Sequence, residues 1–221
     1  MDLDFSPVID SWRFLLGGLG YTVALAILTV LCSLVVGGAV GLARSFGPAW
    51  LRVPLVFYID SMRAVPVLVV LVWCYFALPL LTGVTLPPFW AALVALTAQV
   101  AAFVAEIVRA GVGSVRPGQT RAALALGMSG AQAIREIVLP QAVVRMLPAF
   151  GSIISIAIKD TAIASVIAVP EYMNRSQTVA GQSFRPVEVF MVTMAVYFII
   201  LFPTTRIVDI AYARLAHLGR S

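Results

Sequence analysis

Residues 119–140 read QTRAALALGMSGAQAIREIVLP, a stretch rich in Ala, Gly, Arg and Gln between two long apolar runs. It is too polar to cross a membrane, yet its local signals are those of ordered structure. Thr120 is placed to cap a first short helix, and Gly127 to end it as a left-handed residue. Ser129 followed by Gln132 has the spacing of a capping box for a second helix, and Pro140 marks that helix's expected limit. The stretch reads as a basic helix–turn–helix held outside the bilayer between membrane helices. Two readings stay open on these residues: an ordered loop, or a docking surface for another protein.

The composition agrees with a membrane setting. Of 221 residues, 61% are hydrophobic and 11% charged, and the mean hydropathy is +1.01. A soluble domain carries about 25% charged residues, so the chain is expected to be one all-α transmembrane domain, 1–221. A net charge of +5 could suit nucleic acid, but the arginines flank apolar runs, and the positive-inside rule accounts for them. Cys32 and Cys74 lie inside apolar runs and imply neither a disulfide framework nor a metal site. His217 stands alone and reads as a solvated or headgroup-level residue. The start carries Asp2, Asp4 and Asp10 against Arg13, unlike the basic opening of a cleaved leader.

The apolar runs predict spans at about 15–43, 53–81, 89–112, 147–169 and 187–210, each of a length suited to about 30 Å of hydrocarbon. Gly37 and Gly41 form a G-x-x-x-G in the first, read as packing within the bundle ahead of a dimer contact. Asp60 and Arg63 fall one turn apart in the second, with a kink expected at Pro66. Glu106 and Arg109 lie near the far end of the third, and Lys159-Asp160-Thr161 lies in the fourth. Residues 170–186 read as a polar, nearly charge-balanced loop. Arginines gather after the first and third spans and in the tail (Arg206, Arg214, Arg220). This pattern predicts an outside N-terminus, a cytoplasmic C-terminus and a cytoplasmic 113–146 loop.

Charges at membrane depth cost at least about 2.5 kcal/mol each, so they pair or line an aqueous path. Arg63 falls about 15 Å into a span entered at Val53, and Lys159, the only lysine, about 16 Å into one entered at Pro148. One reading makes structural pairs of Asp60–Arg63 and Glu106–Arg109. The other makes a polar cavity for a small zwitterion from Asp60, Arg63, Glu106, Lys159, Asp160 and Thr161. In that cavity the planar fork of Arg63 suits a carboxylate. Residues 113–120, GSVRPGQT, come near a P-loop. Gln119, however, stands where a lysine must meet the phosphates, and no strand precedes it. No catalytic residue is expected.

Ala122, Ala123, Gly127, Ile137, Leu139 and Pro140 fall at the spacing A-A-x3-G-x9-I-x-L-P. This resembles the EAA loop of permease subunits of bacterial ABC importers, with Arg121 in place of the leading Glu. Gly118-Gln119 resembles the G-Q that precedes the loop in the polar amino-acid permeases. Residues 58–79, YIDSMRAVPVLVVLVWCYFALP, and 156–171, IAIKDTAIASVIAVPE, resemble two further stretches of that family, with Ala162 where Ser is usual.

The resemblance implies the type I (MetI-like) importer permease fold in the bacterial inner membrane. It implies that the 119–130 helix couples to an ATPase through Gly118, Gln119, Arg121, Ala122, Ala123, Leu124, Leu126, Gly127 and Met128. The implied partners are cytoplasmic ABC ATPase subunits, a second permease subunit (identical or paralogous), an extracytoplasmic substrate-binding protein and membrane lipid. The implied cargo is a polar amino acid, with glutamate, aspartate or glutamine expected, moved by alternating access. The chain itself is expected to bind no cofactor, ATP and Mg being used by the partner ATPase. An ATP-independent secondary transporter or channel for small zwitterions is the alternative, but it has no need of a capped docking helix. Nor are the paired half-helices of inverted-repeat transporters evident. A non-transporting scaffold leaves Arg63 and Lys159 unexplained.

Overall fold

The computed structural model describes residues 3–215, so Asp2, His217 and Arg220 lie outside it, as does the side chain of Arg214. A short α1 (Ser6–Asp10) leads into α2 (Trp12–Phe46), a helix of 35 residues. Next come α3 (Ala49–Ala64) and α4 (Val67–Val72), the latter passing through a π turn (Trp73–Ala77) into α5 (Leu78–Thr82). The long α6 (Pro88–Ser114) follows, then the short α7 (Pro117–Ala125) and α8 (Gly130–Gln132). A second π turn (Ala133–Val138) joins α8 to α9 (Leu139–Asp160), which ends in a 3-10 turn (Thr161–Ile167). Lastly α10 (Tyr172–Ser183) precedes α11 (Pro186–Leu215).

Among the described residues, four continuous helical segments are long and apolar enough to cross a bilayer: Trp12–Phe46, Pro88–Ser114, Gly130–Ile167 and Pro186–Ile207. The expected single span at 53–81 is instead a bent pair, Ala49–Ala64 and Val67–Thr82, at 109° to each other. Proline explains the break. Pro66 lacks an N–H and drives Val65 to an extended conformation (φ −85, ψ 134), so α3 cannot continue.

Three further expectations are corrected. The helix that carries the fourth span does not start at 147, because helical backbone runs unbroken from Gly130 through Pro140 to Asp160. A proline ring clashes with the carbonyl four residues back only in α geometry, and the π turn at Ala133–Val138 widens the helix just before Pro140. Thr120 caps nothing: Pro117 opens α7 with Arg116 as its extended N-cap, so the helix covers 117–125 rather than 119–130. Residues 170–186 are not a loop but contain α10.

The bundle is built around α6, whose small buried side chains (Ala91, Ala92, Ala95, Ala101, Ala102, Ala105) let neighbours come close. Most of α2's packing is against it. A Cβ on Gly37 would stand 2.4 Å from the Ala101 carbonyl oxygen, and one on Gly41 would stand 2.7 Å from that of Ala105. The G-x-x-x-G therefore serves packing inside the subunit, as the small-residue rule for lipid-embedded helices requires.

A buried carboxylate ties α10 down. Glu171, with no exposed surface, is the N-cap of α10 and accepts from the Asn174 (2.6 Å) and Met173 (2.8 Å) amides. The hydroxyls of Thr22 on α2 (3.3 Å) and Tyr197 on α11 (3.2 Å) also donate to it. The Tyr172 amide donates to Thr22 Oγ1 at 3.0 Å, which closes the network. Burial pushes the Glu171 carboxyl above the ordinary carboxylate range, in excess of the opposing pull of these donors. The folded state thus holds the proton more tightly than the unfolded chain. This contribution to stability is complete below the unfolded value of about 4.3 and is lost as pH rises through the folded value. We expect the thermal midpoint of the detergent-solubilised protein to fall as pH is raised from about 5 to about 8, and Glu171→Gln to flatten that slope. Identical slopes in the two proteins would remove Glu171 as the titrating group.

Candidate functional site

The polar stretch is ordered by its own backbone chemistry. α6 stops at Ser114, whose carbonyl accepts from the Arg145 guanidinium of α9, and the Arg116-Pro117 step forces an extended residue before α7 begins. At the other end Gly127 sits at φ +85. Its N–H bonds the Leu124 carbonyl at 3.0 Å, and the Met128 N–H reaches the Ala123 carbonyl at 3.1 Å. These are the two bonds of a Schellman motif, with Gly127 as the left-handed residue. The capping box then forms in full: the Ser129 amide donates to Gln132 Oε1 at 2.8 Å, and the Gln132 amide donates to Ser129 Oγ at 3.3 Å.

Which face this unit offers follows from burial. Ala123 points inward, while Gly118, Gln119, Arg121 and Ala122 are exposed and Met128 is half-buried. Leu124 is 47% and Leu126 82% exposed. Two open leucines on a short polar unit beyond the ends of the long helices, beside three arginines (Arg116, Arg121, Arg135), make a surface suited to protein contact.

The charged candidates within the helices fall into two groups. Arg63 stands in the last turn of α3, where the helix dipole favours a cation, with its guanidinium 5.8 Å from the Phe103 ring centre on α6. One turn beyond Phe103, Glu106 accepts from Arg44 of α2 at 2.7 Å and from Arg109 Nη2 at 2.5 Å and Nε at 3.0 Å. The Glu106–Arg109 pair is present, and Arg44 joins it. Among the described residues no ion pair joins Asp60 to Arg63, and Asp60 is exposed.

The second group is on α9. Lys159 lines a cavity of about 290 Å³ with Ser152, Ser155, Gly151, Pro148 and Thr205 of α11. Asp160 beside it is half-buried. Thr161 is fully buried and spends its hydroxyl on the Ile158 carbonyl at 2.7 Å. No hydrogen bond or ion pair links the two groups among the described residues.

Gln99 on α6 was not visible as a site residue in the sequence. Only 6% exposed, it donates from Nε2 to the Val65 (2.7 Å) and Met62 (3.3 Å) carbonyls at the break between α3 and α4. The available signal was an amide alone in an apolar run, which lipid does not tolerate without a partner.

A family model described as "binding-protein-dependent transport system inner membrane component" matches residues 33–218. The glutamine transport system permease protein of Escherichia coli (strain K12) is 36% identical over 203 residues, covering 90% of this chain and 92% of that protein. The arginine transport system permease protein of Bacillus subtilis (strain 168) is 32% identical over 204 residues, covering 91% and 92%. A solved structure, that of an amino acid ABC transporter with histidines, superposes with a TM-score of 0.90 at 30% identity, covering 97% of this chain and 100% of that one.

The Glu106 cluster separates its two arginines by exposure, 17% for the Arg44 side chain and 44% for Arg109. A more buried charged hydrogen bond is worth more, about 1.5–3 kcal/mol against 0–1 for an exposed pair. Arg44→Gln should therefore lower the thermal midpoint in detergent more than Arg109→Gln does. The reverse order would show that Arg109 holds the carboxylate.

Proposed function

Because the chain belongs to the family of binding-protein-dependent transport system inner membrane components, we propose that it forms, with a second permease subunit, the path by which an ABC importer of the bacterial inner membrane moves a polar amino acid. The observation that carries the coupling half of this reading is the self-capped α7–α8 unit. It combines fixed geometry, exposed Leu124 and Leu126, and the Ala-Ala-Gly spacing of the EAA loop. In this reading the face made by Gly118, Gln119, Arg121, Ala122, Leu124, Leu126 and Met128 seats in a cleft of a cytoplasmic ABC ATPase. Ala123 and Gly127 hold that face at its angle. ATP and Mg are used by that partner, which hydrolyses the ATP, and this chain binds no cofactor. A substrate-binding protein delivers the cargo from the other side.

Arg63 is the carboxylate partner in the path, placed in the last turn of α3 at the interruption of the helix pair, exposed on this chain with its guanidinium over the Phe103 ring. Glu106 is committed to two arginines and tunes the field at Arg63 rather than holding cargo directly. Lys159, with Asp160 and Thr161 at the end of α9 and Asp60 on α3, supplies the second polar wall. Two cations within the helical bundle, both exposed on this chain, suit glutamate, aspartate or glutamine. Counted as one crossing, the bent pair brings the total to five, so the termini lie on opposite sides. The arginine distribution puts the C-terminus in the cytoplasm and the N-terminus outside.

The mechanism is a population shift. Closure of the ATPase dimer favours the outward-facing arrangement through contacts at α7 that differ between the two states, and hydrolysis releases it. Proline's φ near −65° cannot satisfy the left-handed position of Gly127 (φ +85). Gly127→Pro should therefore cut recovery of the ATPase subunit in a mild-detergent pull-down about tenfold, a loss of about 1.4 kcal/mol. Membrane insertion should stay intact, and unchanged recovery would end the docking role. A reporter fused to the C-terminus should read the cytoplasm; an external signal would overturn the orientation.

A further inference from the structure

We propose that Gln99 is a positioning residue for the cargo path: its carboxamide fixes the break between α3 and α4 and so sets where Arg63 points. The inference rests on the reading of Arg63 as a cargo contact. At the break the carbonyls of residues 62–65 all lose their helical partners, and Gln99 serves two of them, those of Met62 and Val65. That of Met62 would have bonded the amide of residue 66, which is a proline. That of Val65 would have bonded the Val69 amide, which instead bonds Pro66 at 2.9 Å. The two N–H bonds of Gln99 Nε2 satisfy these two, at 3.3 and 2.7 Å.

A second clasp lies one residue earlier on α6. The Tyr58 hydroxyl donates to the Ala98 carbonyl at 2.6 Å, which pins the preceding turns of α3 to the same stretch. Phe103 is four residues beyond Gln99, hence on the same face of α6, and carries the Arg63 guanidinium over its ring at 5.8 Å. Successive turns of α6 therefore grip residues 62–65 twice. Gln99 takes the main chain and Phe103 takes the side chain between the two bonded carbonyls. Without the amide, Met62 and Val65 would present unpaired carbonyls in a dry interior, and the bend would relax to cover them. Arg63 sits on that hinge and would move with it.

The test uses the assembled transporter, with its ATPase, reconstituted in liposomes. Wild type is compared with Gln99→Met, which keeps volume and removes the donor, with Arg63→Ala, and with both together. Two quantities are read: amino acid taken up per ATP hydrolysed, and the spin-label distance between Phe57→Cys and Leu80→Cys. These exposed positions lie on the two arms of the bend, and the native Cys32 and Cys74 are replaced in this background. Gln99→Met should lower the uptake ratio about tenfold, as expected for one lost contact of about 1.4 kcal/mol, and shift or broaden the distance. Arg63→Ala should lower the ratio without moving the distance. The double variant should be no worse than the poorer single one within about twofold, since the two act in series. Should Gln99→Met fail to assemble, Gln99→Asn, which keeps the amide but withdraws it by one methylene, is judged on the same criteria. An unchanged ratio in Arg63→Ala sinks the cargo-path reading, and this inference with it. A reduced ratio in Arg63→Ala alone, with ratio and distance unchanged at Gln99, sinks the inference only, as do effects that multiply in the double variant.

Discussion

Lipid offers no partner to a backbone amide or carbonyl that leaves a helix, and unsatisfied groups there cost several kcal/mol each. This constraint bears on the break at Pro66, and the same demand for partners is met within the chain at its other irregular points. At Pro66 the released carbonyls of Met62 and Val65 are taken by Gln99. At the end of α6 the Ser114 carbonyl is taken by Arg145. At Gly127 the chain satisfies itself through a Schellman motif, at Ser129 through a capping box, and at Pro170 the following helix is capped by Glu171. Each interruption carries its own donor or acceptor, so each is a fixed joint rather than a loose one.

The joints share a reference frame because α2 and α6 lie unusually close. Gly37 and Gly41 leave room only for backbone, and the carbonyls of Ala101 and Ala105 fill it. Bulk at either glycine would push α2 off the helix that also carries Gln99, Phe103 and Glu106. Close approach further lets Arg44, near the end of α2, reach Glu106 across the seam. Small-residue packing and the charge cluster are thus two consequences of one interhelical distance. The pair between Glu106 and Arg44 works as a strut at the end of that seam.

How much of this was legible in the sequence depends on how far apart the interacting residues are. Gly127 and the Ser129–Gln132 box were readable because their partners lie within five residues. The kink at Pro66 was readable too, but its 109° size was not, since the bend is held by a residue 34 positions away. Thr120 was misread because a nearer start signal, Pro117 at the first helical position, outranks a hydroxyl three residues on. Pro140 was misread because a π turn absorbs the ring, and no apolar periodicity announces a π turn. Residues 170–186 looked like a loop by composition. The Pro-Glu-x-x-Asn start of α10 was a cap signal hidden by polar neighbours. The charged residues within the helices were visible as types, but their division into an α3–α6 group and an α9–α11 group was not.

That division bears on how force from the cytoplasm would reach a cargo. The Gly127 turn separates α7 from α8, but from Gly130 the helical backbone continues through the π turn and α9 to Lys159. A displacement at the docking unit therefore has a stiff rod toward the Lys159 cavity. Its route toward Arg63 passes instead through the short Val115-Arg116 link to α6 and then through Gln99 and Phe103. Moving an equilibrium from 1:99 to 99:1 takes about 5.5 kcal/mol of differential interaction. That is more than any one contact described here supplies. Rigid connections matter more than strong ones in such a device. A joint that yielded at Pro66 would absorb a displacement before it reached the guanidinium, however tightly a partner held α7.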